Sequence, residues 1–469
     1  MKLALWLLAA AVLPGQSLII KDAVVIDANG GRPHRASVEI SRGRIAAIAK
    51  KIHARRGDEV IQAKGKFLIP GLWDMHIHLG PPEIFFPLLL ANGITGVREM
   101  FTGIPMPVIN GWRSRPDVPR IFAPGFLDGP PLAWSGPPPP GAIAVATAEQ
   151  GRMAVRALAS SRVDFLKVYT SLPREAYFAI AQEARAIGIP FAGHVPEEVS
   201  AAEASDAGQR SQEHLIGILE ACSTNEDALR RARVAMMLDR NLSGEERMRE
   251  LAFPDPAGLF DTYSEAKAAA LFQKFVNNGT WQTPTLALLS GFARMRDADF
   301  LDDPRRKYLL RPWREQWDPR RNFFLHDLSA ADYDALNARI HALLDRYEKL
   351  VGDMHRAGVE FLAGTDANGI NPVYPGFGLH DELALLVKSG LSNLEALQAA
   401  TRNASRYFGD PDFGTIEVNK SADLVLLDAD PLEDIRNTEK IEAVVLRGRY
   451  FSRENLDAML KRVEQIAAR

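Results

Sequence analysis

Residues 67–80 read FLIPGLWDMHIHLG, an apolar run that ends in two histidines, His76 and His78. Residues i and i+2 of a β-strand face the same side, so a strand here would direct both imidazoles at one ion. Imidazole is the commonest metal ligand in proteins, and paired imidazoles suit zinc, nickel or iron. Two satisfied core histidines are the alternative, and the rest of the chain has to decide between them.

Length and composition indicate a globular protein that is larger than one ordinary domain. The 469 residues suffice for a large barrel plus a smaller companion domain, and 46% apolar residues can build a sizeable core. A formal charge of −3 gives no reason to expect nucleic acid or an anionic membrane as partner. Beyond the amino-terminal apolar run, the sequence has no segment typical of a transmembrane helix, so stable membrane insertion is not expected. We therefore expect a small molecule or short peptide as ligand, and a homo-oligomer is compatible with the composition.

The first residues are typical of a secretory signal. Lys2 precedes the short apolar run Leu3–Leu13, and Gly15 and Ser17 offer small residues for cleavage. We predict a signal peptide over 1–17 and an exported protein, periplasmic or secreted, with an uncleaved anchor as the alternative. The single cysteine, Cys222, excludes an internal disulfide and is expected to be packed in the core.

The chain has strand-rich ends and an alternating middle. Short strands with turns over 18–69 and again over 412–455 predict one composite β-domain built from both termini, followed by a helix over 456–469. The middle, 70–411, alternates strands and helices, which predicts an α/β fold with a parallel sheet. Strands are expected at 67–75, 95–98, 120–124, 164–169, 190–193, 211–213, 280–286 and 359–364, the number that a (β/α)8 TIM barrel needs. Charged helical insertions over 219–274 and 290–350 either wall a substrate site or decorate the exterior.

Further candidate metal ligands follow the predicted barrel strands. Lys167 lies inside a strand, where an ammonium cannot ligate a metal but a carbamate formed with carbon dioxide can bridge two cations. His194, His214 and Asp366 each end a strand. Each alone is weak, since such residues often cap the next helix and a lysine often forms a salt bridge. The ordered set His-x-His, Lys, His, His, Asp on strands one, four, five, six and eight is a strong signal of a metal centre.

These motifs resemble the amidohydrolase superfamily, in particular its imidazolonepropionase-like and prolidase-like members. The resemblance covers essentially the whole mature chain and includes residues 70–78, 93–98, 380–387 and 420–428. It implies a TIM barrel with a composite β-sandwich domain and two divalent metal ions, with zinc the expected metal. It further implies that His76, His78 and Asp366 hold one ion, that His194 and His214 hold the second, and that carboxylated Lys167 bridges them.

The resemblance also implies a reaction. Metal ions activate a water and polarise a carbonyl, and Asp366 would act as general base and then general acid in cleaving an amide, peptide or cyclic amide C–N bond. Arg98 is a candidate for binding a substrate carboxylate, or else forms a structural salt bridge. Tyr169 would donate to the oxyanion or belong to the core. His380 would line the pocket or merely cap structure.

Departures from the dipeptidase pattern leave the substrate open. Val195-Pro196 follows His194, and the segment after Lys167 lacks the glycine-rich continuation common in dipeptidases. The alternatives to a binuclear amidohydrolase are a mononuclear deaminase or a lactonase- or esterase-type hydrolase on the same scaffold, and a non-catalytic metal-binding relative. Lys167 argues against a mononuclear centre, and the complete ligand set argues against a non-catalytic protein.

Overall fold

The computed structural model describes residues 16–130, 140–254 and 256–469, with backbone only for residues 256 and 257. Most of the predicted signal peptide therefore lies outside the described residues. Ser17, its last residue, already belongs to the folded chain. The Ser17 backbone N–H donates to the Asp58 carboxylate at 3.0 Å, and its hydroxyl donates to Glu39 at 2.8 Å.

Strands dominate both ends of the described chain, and strands and helices alternate between them. The strands are β1 (Leu18–Val25), β2 (His34–Ser41), β3 (Arg44–Ala49), β4 (Glu59–Gln62), β5 (Phe67–Pro70), β6 (Leu72–Ile77), β7 (Ile94–Glu99), β8 (Arg120–Phe122), β9 (Pro124–Asp128), β10 (Ala142–Ala144), β11 (Phe165–Val168), β12 (Phe191–Gly193), β13 (Ser211–Glu213), β14 (Trp281–Thr283), β15 (Leu424–Leu427), β16 (Ile441–Leu446) and β17 (Arg449–Ser452). The helices are α1 (Pro82–Ala91), α2 (Met106–Arg113), α3 (Ala148–Ser160), α4 (Arg174–Ile187), α5 (Ala201–Asp206), α6 (Ile218–Ala221), α7 (Glu226–Leu238), α8 (Gly244–Ala252), α9 (Pro256–Asp261), α10 (Glu265–Asn278), α11 (Leu286–Ala293), α12 (Ala298–Leu301), α13 (Arg311–Gln316), α14 (Ala330–Arg356), α15 (Gly378–Lys388), α16 (Asn393–Ala399), α17 (Arg402–Phe408) and α18 (Arg453–Ala467). Short 3₁₀ helices span Pro304–Tyr308 and Ile435–Glu439.

The two ends of the chain meet in one eight-stranded sheet. Its order is β17-β16-β15-β5-β1-β2-β3, with β4 pairing β1. The junction between the ends is the antiparallel pair β5 and β15, in which Ile69 lies opposite Val425. Alternate residues such as Leu68, Leu424 and Val445 are fully or almost fully buried in one apolar cluster, because one face of the sheet packs inward.

The predicted first strand, 67–75, is divided between two sheets. Its first part, β5, belongs to the composite sheet, whereas β6 pairs in parallel with β7 in the barrel. The division falls at Gly71, where a Cβ would lie 2.1 Å from Oγ1 of Thr95. Only glycine fits this close approach, so the chain can pass from one sheet to the other and deliver His76 and His78 to the barrel.

Parallel pairing connects the barrel strands. β6, β7 and β8 form one set, and β9, β11, β12, β13 and β14 form the next, with β10 added beside β9. The third barrel position is interrupted at Ala123, between β8 and β9. The eighth position carries no regular strand, but parallel bridges join Gln282 to Phe361 and Ile77 to Ala367. The ring therefore closes around residues 361–367, and the predicted α/β class with a TIM barrel and a composite β-domain is confirmed.

The helical insertions approach the carboxyl end of the barrel. Met248 and Leu251 of α8 and Phe292, near the end of α11, line the same cavity as His78 and Asp366. Of the two predicted roles for these insertions, the structure therefore shows the substrate-wall position. Within the described chain, helices capable of crossing a membrane were not found.

Candidate metal centre

His76 and His78 lie at the end of β6 with their rings held from behind. The Nδ1 atom of His78 lies 2.8 Å from the carbonyl oxygen of Phe101, and Nδ1 of His76 lies 2.8 Å from a carboxylate oxygen of Glu213. Both partners are acceptors, so both Nδ1 atoms must carry the proton. In the neutral rings, each Nε2 then presents a lone pair to the cavity.

Those two lone pairs converge on the carboxylate of Asp366. Oδ1 of Asp366 lies 3.0 Å from Nε2 of His78 and 3.5 Å from Nε2 of His76. Among the described residues, Nε2 of His76 is buried without a hydrogen-bond partner. Lone pairs on three converging atoms repel one another unless a cation lies between them, and the ligand atoms all lie within 4.8 Å of one another. The donor set therefore fits a divalent metal ion.

The other three predicted ligands surround the same cavity. His194 and His214 have ring centroids 4.9 Å apart, and the His214 ring lies 4.4 Å from that of His76. The Nδ1 atoms of His194 and His214 form hydrogen bonds with the hydroxyls of Thr170 at 2.9 Å and Thr285 at 2.7 Å. Burial lowers the pKa of both histidines, which keeps them in the neutral form that binds metals.

Lys167 is buried at the centre of β11. Its Nζ donates to the carbonyl oxygen of Met100 at 2.7 Å, and only 1% of the residue is exposed. Burial lowers the pKa of Lys167 to about 8, although Asp366 and Glu213 oppose this shift. An amine with such a pKa is partly neutral near neutral pH, and the neutral amine is the form that adds to carbon dioxide.

Asp74 and Thr365 connect the first and last barrel positions behind the ligands. The Thr365 hydroxyl donates to the Asp74 carboxylate at 2.6 Å, and the backbone N–H groups of Thr365 and His76 each donate to it at 3.1 Å. Burial raises the pKa of Asp74 to about 7 against these hydrogen bonds. This network fixes the separation between His76 and Asp366.

Arg98 lies behind the centre and does not reach the cavity, which corrects its predicted role as a substrate contact. Its Nη2 donates to both carboxylate oxygens of Glu213, at 2.9 and 2.8 Å, and the side chain is fully buried. The salt-bridge alternative is the observed one. Because Glu213 also binds His76, the guanidinium, the carboxylate and the imidazole form one chain that orients a predicted metal ligand.

The two remaining predicted substrate contacts have different positions. Tyr169 lines the cavity, and its ring packs at 4.0 Å between centroids against His194. His380 is buried in α15, where its Nδ1 forms a hydrogen bond with the hydroxyl of Thr438 at 2.9 Å. Burial lowers the pKa of His380 to about 4. The structure therefore places His380 in the packing of α15 and corrects its predicted place in the pocket.

Backbone strain concentrates at the centre. Non-glycine residues with positive φ cost on the order of 1–3 kcal/mol each and often mark functional sites. Residues of this kind that are metal-ligand candidates or directly contact them are Phe101 (φ 86°), His214 (φ 62°), Thr285 (φ 50°) and Asp366 (φ 57°). The strained backbone at these residues orients the ligand candidates and their hydrogen-bond partners toward the centre.

The cavity in front of the ligands has a volume of about 300 Å³. Its inner end carries His78, Lys167, His194, His214 and Asp366, and side chains of the insertions form part of its walls. Sequence reasoning missed the wall residues and Glu213. The sequence offered one signal for Glu213, namely its position directly before His214 at the end of a predicted strand.

Comparisons with known proteins agree with this architecture. Residues 325–450 match the model of the amidohydrolase family. A segment is 47% identical over 62 residues to the N-acetylglucosamine-6-phosphate deacetylase of Lysinibacillus sphaericus, which is 13% of this chain and 16% of that protein. The chain thus spans only about a sixth of the length of that relative.

Two solved structures share the fold over almost the whole chain. Bottromycin amidohydrolase has a TM-score of 0.73 and 24% identity, covering 96% of this chain and 90% of that one. A Xaa-Pro dipeptidase with bound methionine has a TM-score of 0.63 and 19% identity, covering 93% of this chain and 100% of that one. The family match is thus confined to residues 325–450, and the two structures show that the fold extends over almost the whole chain.

Proposed function

We propose that the protein is a metal-dependent hydrolase that cleaves a C–N bond of an amide, a peptide or a cyclic amide. The observation that carries this proposal is the convergence of two imidazole lone pairs on the carboxylate of Asp366 at the end of a cavity. Family members are generally metal-dependent, which agrees with the donor set of this site.

The residues would hold two ions, and zinc suits their nitrogen and oxygen donors. His76, His78 and Asp366 would bind the first ion, and His194 and His214 the second. Lys167, as the carbamate formed with carbon dioxide and release of a proton, would contribute to both. Divalent ions at these positions would lower the pKa of a bound water and polarise the scissile carbonyl.

The chain's own groups would then move the protons. Asp366 lies at the inner end of the cavity, and its Oδ2 atom accepts a hydrogen bond from the Asn371 amide at 3.2 Å. Its carboxylate would accept a proton from the attacking water and return it to the departing nitrogen. Burial alone would raise the pKa of Asp366, but the surrounding side chains of His78, His214 and Lys167 lower it, so the carboxylate begins as a base. Burial raises the pKa of Tyr169, which keeps its hydroxyl a donor for the developing oxyanion.

Asp366→Asn tests this assignment of roles. The amide keeps an oxygen ligand but cannot accept the proton, so we expect bound metal to persist while amide hydrolysis falls by about 10²–10⁴-fold. Metal content and turnover of an amide panel are measured on the same preparation. Wild-type turnover by Asp366→Asn would remove Asp366 from the reaction.

A mononuclear hydrolase, such as a deaminase or a lactonase- or esterase-type enzyme, is the second candidate. One observation favours it. Among the described residues, the cluster of possible ligand atoms that lie within 4.8 Å of one another comprises only those of His76, His78 and Asp366. Lys167→Ala distinguishes the two. Full activity with one bound ion would favour the mononuclear enzyme, whereas loss of an ion together with activity would favour the binuclear one.

We also propose that the protein is exported to the periplasm or beyond. The proposal rests on Lys2 followed by the apolar run Leu3–Leu13. Amino-terminal sequencing of protein recovered from a periplasmic extract tests it. A chain that stays in the cytoplasm with Met1 intact would contradict it.

A further inference from the structure

The outer part of the cavity is a wall of apolar side chains, most of which come from the two insertions. The side chains that form it are Ile216, Met248, Leu251, Phe253, Leu289, Phe292 and Phe324. Phe253, Phe292 and Phe324 contact one another, with ring centroids 5.1 to 6.3 Å apart. Apolar surface of this kind gains free energy by excluding water when it meets an apolar ligand group.

The cationic side chains of the described cavity lining are only Lys167 and Arg233. Lys167 belongs to the metal end. Arg233 is engaged by Glu197, whose two oxygens accept from its Nε at 2.7 Å and its Nη2 at 2.8 Å. Glu220 lies 3.5 Å from the same Nε. These two carboxylates neutralise the guanidinium or leave the cluster with one negative charge, so it has no attraction left for a substrate carboxylate.

We propose that the substrate carries a bulky, uncharged apolar group, of about the size of a phenylalkyl chain, on the side of the scissile bond that faces the insertions. A free carboxylate on that side is excluded, which separates this specificity from that of an enzyme for free dipeptides. The inference rests on the proposed function. It follows from the position of the aromatic wall beside the metal end and from the neutralised Arg233.

Matched amides test the inference on either side of the bond. N-(2-phenylethyl)acetamide is compared with N-acetylphenylalanine, which adds only a carboxylate, and with N-methylacetamide, which lacks the ring. N-methyl-3-phenylpropanamide is compared with N-methylsuccinamate for the acyl side. We expect kcat/KM for at least one phenyl amide to exceed that of its carboxylate and methyl counterparts by tenfold or more. Preference for the carboxylate compounds would overturn the inference while leaving the hydrolase proposal intact.

Binding measurements separate the inference from the reaction. Calorimetry with metal-loaded Asp366→Asn should detect the phenyl amides and not the carboxylate compounds. Binding of phenyl amides without hydrolysis by the wild type would refute the proposed function and support the apolar site. Absence of both binding and hydrolysis of the phenyl amides would overturn the inference.

Variants of the wall and of the charge cluster locate the effect. Leu251→Asn should lower kcat/KM for the phenyl amide about tenfold relative to kcat/KM for the methyl amide. Leu238→Asn, on the adjoining helix α7 at a half-exposed position, is the matched control and should change neither. Glu197→Gln should free Arg233 and raise kcat/KM for the carboxylate compounds about tenfold. The assignment is contradicted if Leu251→Asn leaves the phenyl-to-methyl ratio of kcat/KM unchanged and Glu197→Gln leaves kcat/KM for the carboxylate compounds unchanged.

Discussion

Replacing Glu213 by glutamine should disturb both the stability of the fold and the affinity for metal. Glu213 is fully buried and accepts two hydrogen bonds from Arg98 and one from His76. Glutamine keeps the shape but removes the charge that balances the guanidinium. Breaking a buried ion pair in this way costs about 3–5 kcal/mol. Loss of a carboxylate behind a metal-binding imidazole typically weakens metal binding 10–100-fold.

Two assays measure these effects separately. Urea unfolding of the metal-free protein should show a loss of about 3–5 kcal/mol in Glu213→Gln. Competition with a chromophoric zinc chelator should show the weaker metal binding. The double variant Arg98→Met with Glu213→Gln removes both charges, so it should recover part of the stability while metal affinity stays low. Recovery of stability without recovery of metal affinity would show that the Glu213 carboxylate balances the Arg98 charge and, separately, supports metal binding through His76.

An exposed ion pair is the control. Arg156 and Glu183 lie 2.7 Å apart, but 60% of the arginine side chain is exposed. Such pairs contribute about 0–1 kcal/mol, so Glu183→Gln should change unfolding by no more than that. The reasoning is refuted if Glu213→Gln unfolds and binds zinc like the wild type.

Three further predictions concern other parts of the centre and its supports. Lys167→Ala should reduce bound metal from two ions to one and lower amide hydrolysis at least 100-fold, which metal analysis and turnover check; unchanged metal content would contradict it. Burial raises the pKa of Glu382 from 4.5 to about 8, so between these pH values the folded state binds a proton that the unfolded state has released. Stability of the metal-free wild type should therefore fall relative to Glu382→Gln as pH rises from 5 to 8, by up to about 5 kcal/mol in urea unfolding, and parallel curves would contradict the shift. Gly193→Ala should destabilise the protein by more than about 2 kcal/mol, since its Cβ would lie 2.1 Å from the backbone oxygen of Val168 at a φ of 132°. Gly188→Ala is the control and should cost about 1 kcal/mol, because Gly188 has a φ of 81° but open space around the added Cβ. Equal losses of stability in thermal unfolding would refute the steric argument.

The repeating strand pattern made the barrel predictable, because buried parallel strands need apolar runs that polar residues end. The residues at those ends, His194, His214 and Asp366, follow from the same regularity. The division of the first strand at Gly71 was missed. Its cause is the close approach of Thr95, a contact between distant segments that strand periodicity does not record.

The surroundings of the ligands were harder to predict from sequence. Arginine is the residue type that binds carboxylates, and Arg98 lies near the end of a strand, which suggested a substrate contact. In the folded barrel, however, Glu213 at the end of β13 lies beside Arg98 and accepts its hydrogen bonds. His380 lies in the first turn of α15, and only the packing of α15 on the 3₁₀ helix at Ile435–Glu439 shows that its Nδ1 forms a hydrogen bond with Thr438. The apolar wall arises from insertions whose docking depends on tertiary packing rather than local pattern.

Metal content and intact mass of the same preparation test the central claim most directly. The protein is purified with bicarbonate, and metal per chain is determined beside native mass spectrometry. The account predicts two divalent ions per chain and the added mass of one carbon dioxide, with the added mass lost in Lys167→Ala. A wild-type protein that binds no metal under these conditions would contradict the account, and one ion without the added mass would contradict its binuclear form.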